Sequence, residues 1–257
     1  ITNKDAVAQL IASEKPQVVI NTAAMTSVDG CERDPDAARS IHVGGTANLV
    51  RACETVGAGL IQLSTNYVFD GEDGPYDEDD SPNPLSVYGS TKLESERLVL
   101  DAGGPGIVVR TAVFYGSESD RPNFLTWALR ELANGNDIRI VTDESANPTY
   151  VPELSLSIVD LASANHQVEG VYHVAGCDFM TRFEMIIALC EQFDLSPDLV
   201  IPVVSEDLAQ DAARPPRAGL KIDKIQTAIG RSYKSFQENL SLLSDQLGNL
   251  GTWLSER

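Results

Sequence analysis

Short apolar runs alternate with longer amphipathic segments through the first half of the chain. The runs are strand-sized and predict buried strands at residues 17–21, 59–65, 107–110 and 137–141. Helical spacing between them predicts helices over 34–56, from about 88 to 101, and over 123–133, the first with Asp34 as N-cap and Pro35 at its first position. This alternation is typical of an α/β fold with a doubly wound, Rossmann-like parallel sheet.

The second half of the chain has a less regular pattern. It predicts helices at 153–165, 182–193, 223–229 and 235–247, and strands at 171–174 and 199–203, with a polar stretch at 207–219. We therefore expect two parts. Residues 1–143 form a domain around the parallel sheet, and residues 144–257 form mainly a smaller lobe, with some segments returning to the first domain.

Composition narrows the class of protein. Of the 257 residues, 42% are hydrophobic, and no apolar run is long enough to span a membrane. No signal peptide opens the sequence, and the four cysteines lack metal-ligand spacing, so we expect a cytoplasmic protein with reduced, mostly buried thiols.

The net charge is −19, with 38 acidic against 19 basic residues. A field of this sign repels nucleic acid and anionic membranes, so we expect neither as a partner. The charge fits a salt-adapted organism, in which high ionic strength screens the self-repulsion. It also fits a moderately acidic bacterial enzyme.

Tyr88 and Lys92 lie four residues apart on a predicted helix and therefore share one face. A neighbouring ammonium favours the phenolate and is expected to lower the pKa of Tyr88, which suits proton exchange with an alcohol or carbonyl. The spacing by itself fits an exposed helix pair equally well.

Ser64 and Thr65 end the strand that precedes this helix. In an open parallel sheet, ligands bind outside the carboxyl ends of the strands. A hydroxyl there, together with Tyr88 and Lys92, predicts a Ser/Thr–Tyr–Lys site. Small polar residues also cap strand ends for purely structural reasons.

The glycine-rich strand–helix turn that usually cradles a dinucleotide does not occur in this sequence. The sequence starts at Ile1 with a predicted helix before the first strand. We therefore expect that an N-terminal βαβ segment of roughly 30 residues or more is missing. A chain that begins at Ile1 is expected to bind cofactor weakly or not at all.

Ordered motifs along nearly the whole chain resemble the extended short-chain dehydrogenase/reductase family, and within it the dTDP-4-dehydrorhamnose reductase group. The motifs lie at residues 18–29, 31–32, 63–71, 84–94, 110–111, 115–116, 123–124, 147–150, 170–173 and 214–215. Tyr-x-x-x-Lys marks only the superfamily. The segments Ser-Thr-x-Tyr-Val-Phe-x-Gly and Pro-Thr-Tyr are more specific to this group.

The resemblance implies NADPH-dependent (or NADH-dependent) reduction of the C4 keto group of a dTDP-4-keto-6-deoxy sugar. It also implies that residues 1–143 are an N-terminally incomplete NAD(P)-binding domain and that residues 144–257 mainly bind the substrate. Thr65, Tyr88 and Lys92 would be catalytic: Thr65 bonds the C4 oxygen, Tyr88 protonates it, and Lys92 holds the nicotinamide ribose. The implied cofactor-binding residues are Ala23, Ala24, Thr26, Ser64, Tyr88, Lys92, Thr111 and Val113. The implied substrate-binding residues are Thr65, Asn66, Val68, Pro148 and Thr149.

Two positions depart from the pattern of the resembled group. Asn66 stands where these reductases usually carry Asp, and His42 stands where extended members usually carry an Asn that supports a proton-relay water. His42 can titrate near neutrality, and it fits a core or interface position equally well. Both departures leave the substrate and the rate open.

Other readings come from different functional classes. A regulatory subunit of methionine adenosyltransferase shares the fold and much of the motif set, and a sugar-nucleotide epimerase or dehydratase would retain its oxidised cofactor. The resemblance makes a homodimer a reasonable expectation. It leaves a divalent metal undecided, and no metal ligands are assigned.

Overall fold

The computed structural model describes residues 1–117, 122–164 and 168–255. The strands are β1 Val18–Asn21, β2 Gly59–Thr65, β3 Gly106–Thr111, β4 Phe114–Tyr115, β5 Ile138–Val141, β6 Ser145–Ala146, β7 Thr149–Tyr150, β8 Gly170–His173, β9 Met180–Thr181 and β10 Val200–Val203. The α-helices are α1 Lys4–Glu14, α2 Val28–Arg33, α3 Pro35–Arg39, α4 Gly45–Val56, α5 Val87–Leu100, α6 Phe124–Ala133, α7 Val151–Ser163, α8 Arg182–Phe193, α9 Asp223–Ile229, α10 Phe236–Leu247 and α11 Leu250–Ser255.

Four parallel strands form the central sheet in the order β1-β2-β3-β8. Successive side chains alternate between its two faces. On β2, Leu60 packs in a cluster with α1 and α4, whereas Ile61 packs in a second cluster with α7 and α9. Helices therefore cover both faces, which confirms the predicted α/β parallel-sheet class.

The predicted helix 34–56 is a continuous helical stretch with an irregular centre. The Asp34 side chain accepts from the backbone N–H of Ala37, which confirms it as the N-cap, and Gly57 ends the stretch at φ +73°. Between α3 and α4, residues Ser40–Gly44 form a π-helical turn that contains His42. The short helix α2 before it was not predicted, because six residues carry little periodic signal.

A third cluster lies among α6, α8 and α10, and contains Leu125, Leu189 and Leu240. The predicted strand at 137–141 forms as β5, but it pairs with β10 rather than with the central sheet. An apolar run of that length has the same signal in either sheet, so pairing could not be read from it. The later strand β8 completes the central sheet.

The other predicted elements of the second half are present. Helices α8 and α9 have the predicted bounds, and α10 begins one residue later, after the capping residue Ser235. The predicted helix 153–165 corresponds to α7, whereas its predicted end at Asn165 lies outside the described residues. Helix α11 was not predicted.

All four cysteines are free, and three of them (Cys31, Cys53 and Cys190) are buried. This agrees with the expectation of reduced, mostly buried thiols. Among the described residues, no helix is both long enough and apolar enough to cross a lipid bilayer.

Candidate active site

Strand β2 and helix α5 bring Thr65 and Tyr88 together at the carboxyl edge of the sheet. Ser86 caps α5 by accepting from the backbone N–H of Gly89, at 3.2 Å. Gly89 lies against the chain that follows β2, since a Cβ there would sit 2.2 Å from the carbonyl oxygen of Tyr67. This close approach lets the Tyr88 hydroxyl hydrogen-bond with Thr65.

Lys92 is one turn further along α5 and is 3% exposed. Its Nζ donates to the backbone carbonyl oxygen of Leu63, at 2.5 Å. Burial lowers the pKa of Lys92 to about 8, against the opposing influence of Glu96. Tyr88, Lys92 and Glu96 therefore follow one another along a single face of the helix.

The expectation that Lys92 lowers the pKa of Tyr88 is wrong for this structure. Burial raises the pKa of Tyr88 to about 12, and the hydrogen bond from Thr65 opposes this only in part. The Tyr88 ring meets the rings of Tyr67 and His42 edge-on, with centroids 5.9 Å and 5.7 Å away. Tyr88 is therefore a neutral phenol at pH 7, which is the form that donates a proton.

Ser64 points away from Thr65, because neighbouring residues of a strand face opposite sides. Its hydroxyl donates to the buried carboxylate of Glu96. Arg110 also holds that carboxylate, with Nη2 2.7 Å from Oε2 and Nε 3.1 Å from Oε1. The side chain of Ser64 is thus part of a buried ionic network with Glu96 and Arg110.

The loop after β1 leaves Ala23 and Thr26 exposed and Ala24 half-buried. Asn21 shapes this loop, since its Oδ1 accepts from the backbone N–H of Ala23 at 3.1 Å, while its Nδ2 donates to Gln62 at 2.8 Å. The three loop residues predicted to contact a cofactor are therefore accessible beyond the carboxyl end of β1.

Thr111 and Val113 follow β3 at the same edge. The Thr111 hydroxyl is buried and has no hydrogen-bond partner among the described residues. Val113 has φ +24°, which is unusual for a β-branched residue and typical of strained backbone at functional sites. An unpaired hydroxyl beside strained backbone fits the carboxamide of a nicotinamide ring, so the residues present are compatible with a dinucleotide.

The predicted substrate residues differ in accessibility. Asn66 lies beside Thr65, and its Nδ2 donates to the carbonyl oxygen of Ala218 at 2.8 Å, a bond that an aspartate could not make. Val68 is fully buried in the main core, so its side chain does not reach a pocket surface. Pro148 and Thr149 are also buried, and the Thr149 backbone N–H donates to the carbonyl oxygen of Val113 at 3.0 Å.

A cavity of about 250 Å³ opens next to Tyr67. Its lining includes three arginines and two aromatic residues that the sequence analysis did not assign: Arg139, Arg182, Arg214, Phe124 and Trp127. These arginines suit a phosphate ligand, since guanidinium groups match phosphate geometry. The pair 214–215 was part of the resemblance, but the three arginines lie far apart in sequence.

Contacts within the cavity hold the arginines in place. The guanidinium of Arg182 lies 5.1 Å from the centre of the Phe124 ring, and its Nε is 3.9 Å from Glu144. Arg214 donates to both carboxylate oxygens of Asp29, at 3.1 Å and 2.9 Å. These bonds join the polar stretch 207–219 to helix α2, directly after the loop at Ala23.

In the part of the chain that the structure describes, no group of three or more His, Cys, Asp or Glu residues could hold a metal ion. The candidate site described above comprises a hydroxyl–phenol–ammonium series, an accessible loop and a cavity lined by arginines.

The family model described as the RmlD substrate binding domain matches residues 1–249 of this chain. The chain belongs to this family. A solved dTDP-4-dehydrorhamnose reductase from Bacillus anthracis in complex with NADP superposes with a TM-score of 0.90 and is 30% identical. That match covers 95% of this chain and 86% of the solved chain.

The relatives of this chain include proteins named as reductases and proteins named as a subunit of methionine adenosyltransferase. The dTDP-4-dehydrorhamnose reductase of Aggregatibacter actinomycetemcomitans is 34% identical, over 93% of this chain and 84% of the relative. The probable low-salt glycan biosynthesis reductase Agl14 of Haloferax volcanii is 32% identical, over 95% and 82%. The methionine adenosyltransferase 2 subunit beta of Rattus norvegicus is also 32% identical, over 88% and 69%.

Proposed function

We propose that this protein is an NADPH-dependent oxidoreductase of the short-chain dehydrogenase/reductase type that reduces the C4 keto group of a dTDP-4-keto-6-deoxy sugar. The observation that carries the proposal is the Thr65–Tyr88–Lys92 series at the carboxyl edge of the sheet. It occurs in a chain that superposes on a dTDP-4-dehydrorhamnose reductase in complex with NADP.

When bound, NADPH supplies the hydride for C4. Thr65 donates a hydrogen bond to the C4 oxygen, and Tyr88 transfers its phenolic proton to that oxygen as negative charge develops there. Because the pKa of Tyr88 is raised to about 12, its proton stays in place until a stronger base forms. Lys92 would hold the nicotinamide ribose and stabilise the tyrosinate left behind.

The arginine-lined cavity supports a nucleoside diphosphate as the non-reacting part of the substrate. Arg182 and Arg214 would contact the diphosphate, and Phe124 and Trp127 offer flat apolar surface for the base. In a chain of net charge −19, grouped guanidinium groups also give a local attraction for an anionic ligand. Asn66 would place the 217–219 segment beside the sugar.

We also propose that residues 144–257 provide most of the substrate lobe, that the protein works in the cytoplasm as a homodimer, and that its acidity reflects salt adaptation. These points rest on the resemblance and on charge. No metal is assigned a role in the reaction.

The proposal is tested by incubating the protein with NADPH and dTDP-4-keto-6-deoxy-L-lyxo-hexulose. We expect one NADPH to be oxidised for each dTDP-rhamnose formed. An epimerase or a dehydratase would instead change the sugar without net consumption of cofactor, so stoichiometry separates that class of enzyme from a reductase.

A second candidate is a non-catalytic regulatory subunit, which is favoured by the 32% identity to the methionine adenosyltransferase 2 subunit beta. Under that proposal, the protein would co-purify with a methionine adenosyltransferase and alter its kinetics. It would oxidise no NADPH in the presence of the sugar nucleotide. The retained proton donor Tyr88 favours the reductase.

A further inference from the structure

His42 connects two parts of the site that are far apart in sequence. It is 2% exposed and sits in the π-helical turn Ser40–Gly44. Its Nε2 accepts from the backbone N–H of Met25, at 3.0 Å, and its Nδ1 lies 2.8 Å from the Thr91 hydroxyl oxygen. Met25 belongs to the loop of Ala23 and Thr26, whereas Thr91 lies on helix α5 between Tyr88 and Lys92.

These contacts fix the protonation state of the imidazole. Because Nε2 accepts a hydrogen bond, it carries no proton, so the single proton of the neutral ring is on Nδ1 and is donated to Thr91. The Thr91 hydroxyl in turn donates to the carbonyl oxygen of Val87, at 2.8 Å. Both ring nitrogens of His42 are therefore occupied, and neither is free to pass a proton to Tyr88.

The groups around His42 also disfavour a charged ring. Burial and the nearby ammonium of Lys92 lower the pKa of His42 to about 4. The Tyr88 ring is also a neighbour, since it meets the imidazole edge-on at 5.7 Å, and it carries no charge at neutral pH. A second proton would have to sit on Nε2, where it would oppose the Met25 N–H.

We propose that His42 is a positioning residue that ties the Met25 loop to the start of helix α5, and that it neither gives up nor accepts a proton during the reaction. The π-helical turn suits this role, since such turns occur often at functional sites and redirect a side chain. The assignment of this loop to cofactor binding rests on the proposed function. The hydrogen bonds that connect the loop to helix α5 through His42 do not depend on it.

The two bonds of His42 can be separated by substitution. A glutamine places its amide oxygen near the position of Nε2, so His42→Gln retains an acceptor for Met25. An asparagine places its amide near Nδ1, so His42→Asn retains only the contact with Thr91. His42→Ala removes both, and Thr91→Val removes the Thr91 bond while leaving Met25 with its acceptor.

Amide hydrogen exchange of Met25 reads the connection directly, without cofactor or substrate. We expect exchange to increase about tenfold or more in His42→Ala and His42→Asn, and to stay within a few-fold of the wild type in His42→Gln. Unchanged exchange in His42→Ala would overturn the proposal. The same spectra show whether a variant is folded. If His42→Ala does not fold, the comparison of Met25 exchange between His42→Gln and His42→Asn tests the proposal instead, and equal exchange in these two variants would overturn it.

Two further measurements separate positioning from proton transfer. Imidazole ¹⁵N spectra should show His42 in the neutral Nδ1–H form from pH 8 to pH 6, and a resonance that titrates in that interval would overturn the proposal. With substrate, His42→Asn should raise the KM for NADPH more than it lowers kcat, without moving the pH profile of kcat. Failure of the NADPH assay together with intact Met25 protection would count against the proposed function but not against this connection.

Discussion

The Nζ of Lys92 donates a 2.5 Å hydrogen bond to the carbonyl oxygen of Leu63, and so ties helix α5 to the strand that ends at Thr65. Burial leaves Tyr88 with a raised pKa and Lys92 with a lowered one. The site thus holds a protonated phenol and an ammonium that loses its charge not far above neutrality.

Replacing Tyr88 by Phe should lower kcat by about a hundredfold or more, because the C4 oxygen loses its proton donor. The KM for the sugar nucleotide should change little, since most binding contacts are elsewhere. Steady-state kinetics measures both. Tyr172→Phe is the matched control, because Tyr172 is a buried tyrosine on β8 outside the site, and it should retain activity. Equal loss in both variants would contradict the assignment.

NADPH affinity should weaken as the pH rises through 8, because Lys92 of the cofactor-free protein has a pKa of about 8 and loses its charge there. The sign follows from the lowered pKa, since the ammonium is present below about pH 8 and absent above it. Titrations at several pH values should show the dissociation constant rising up to about tenfold per pH unit above that point. Lys92→Gln should bind weakly at every pH. A wild-type affinity that is flat from pH 7 to 9.5 would rule out this role.

Replacing Asp29 by Asn should raise the KM for the sugar nucleotide several-fold, because Arg214 loses its charged partner and its fixed orientation. The value of kcat should be nearly unchanged. Asp211→Asn is the matched control, as Asp211 forms an exposed ion pair with Arg33, and exposed pairs contribute little. A larger effect from Asp211→Asn would contradict the role given to Arg214.

Stability should fall as the pH drops from about 6.5 towards 4, because His42 and His173 are buried as neutral rings. Burial lowers the pKa of His42 to about 4 and that of His173 to about 3. As the pH falls, the unfolded chain therefore binds protons at these two rings before the folded chain does. Each ring contributes a slope of about 1.4 kcal/mol per pH unit in this window. Chemical denaturation at several pH values gives the free energy of unfolding as a function of pH. This free energy should fall less steeply in His42→Gln than in the wild type, by the slope of one histidine. Parallel curves for the two proteins would contradict the prediction.

The proposed salt adaptation predicts a melting temperature that rises with molar salt. A net charge of −19 repels itself in the folded state, and salt screens that repulsion. Differential scanning calorimetry from low to molar potassium chloride measures the trend. A melting temperature that stays constant or falls would remove the case for adaptation and leave an ordinary acidic enzyme.

The sequence predicted the elements better than the contacts between side chains. Tyr88 and Lys92 were placed on one helix face by spacing, but only the fold shows Lys92 reaching back to Leu63. The sequence does not distinguish Ser64 from Thr65, since both are hydroxyl residues at the end of a strand. In the structure their side chains lie on opposite faces of β2, and Ser64 hydrogen-bonds to Glu96. The hydrogen bond between Met25 and His42 could not be predicted from the sequence, because it joins a loop to a π-helical turn and neither segment has a periodic pattern.

The arginine cavity could not be predicted for a similar reason. Arg139, Arg182 and Arg214 lie on separate segments, and tertiary packing brings them to one cavity. The pairing of β5 with β10 was equally hidden, since an apolar run does not specify its neighbour.

The central claim is that the Thr65–Tyr88–Lys92 site reduces a sugar-nucleotide ketone. The most direct test supplies NADPH deuterated at the transferred C4 position, together with dTDP-4-keto-6-deoxy-L-lyxo-hexulose, and analyses the sugar by mass spectrometry and NMR. We predict one deuterium at sugar C4 for each NADPH consumed by the wild type, and almost no labelled sugar formed in the same incubation time by Tyr88→Phe. A sugar without deuterium, or equal labelling by wild type and Tyr88→Phe, would contradict the account.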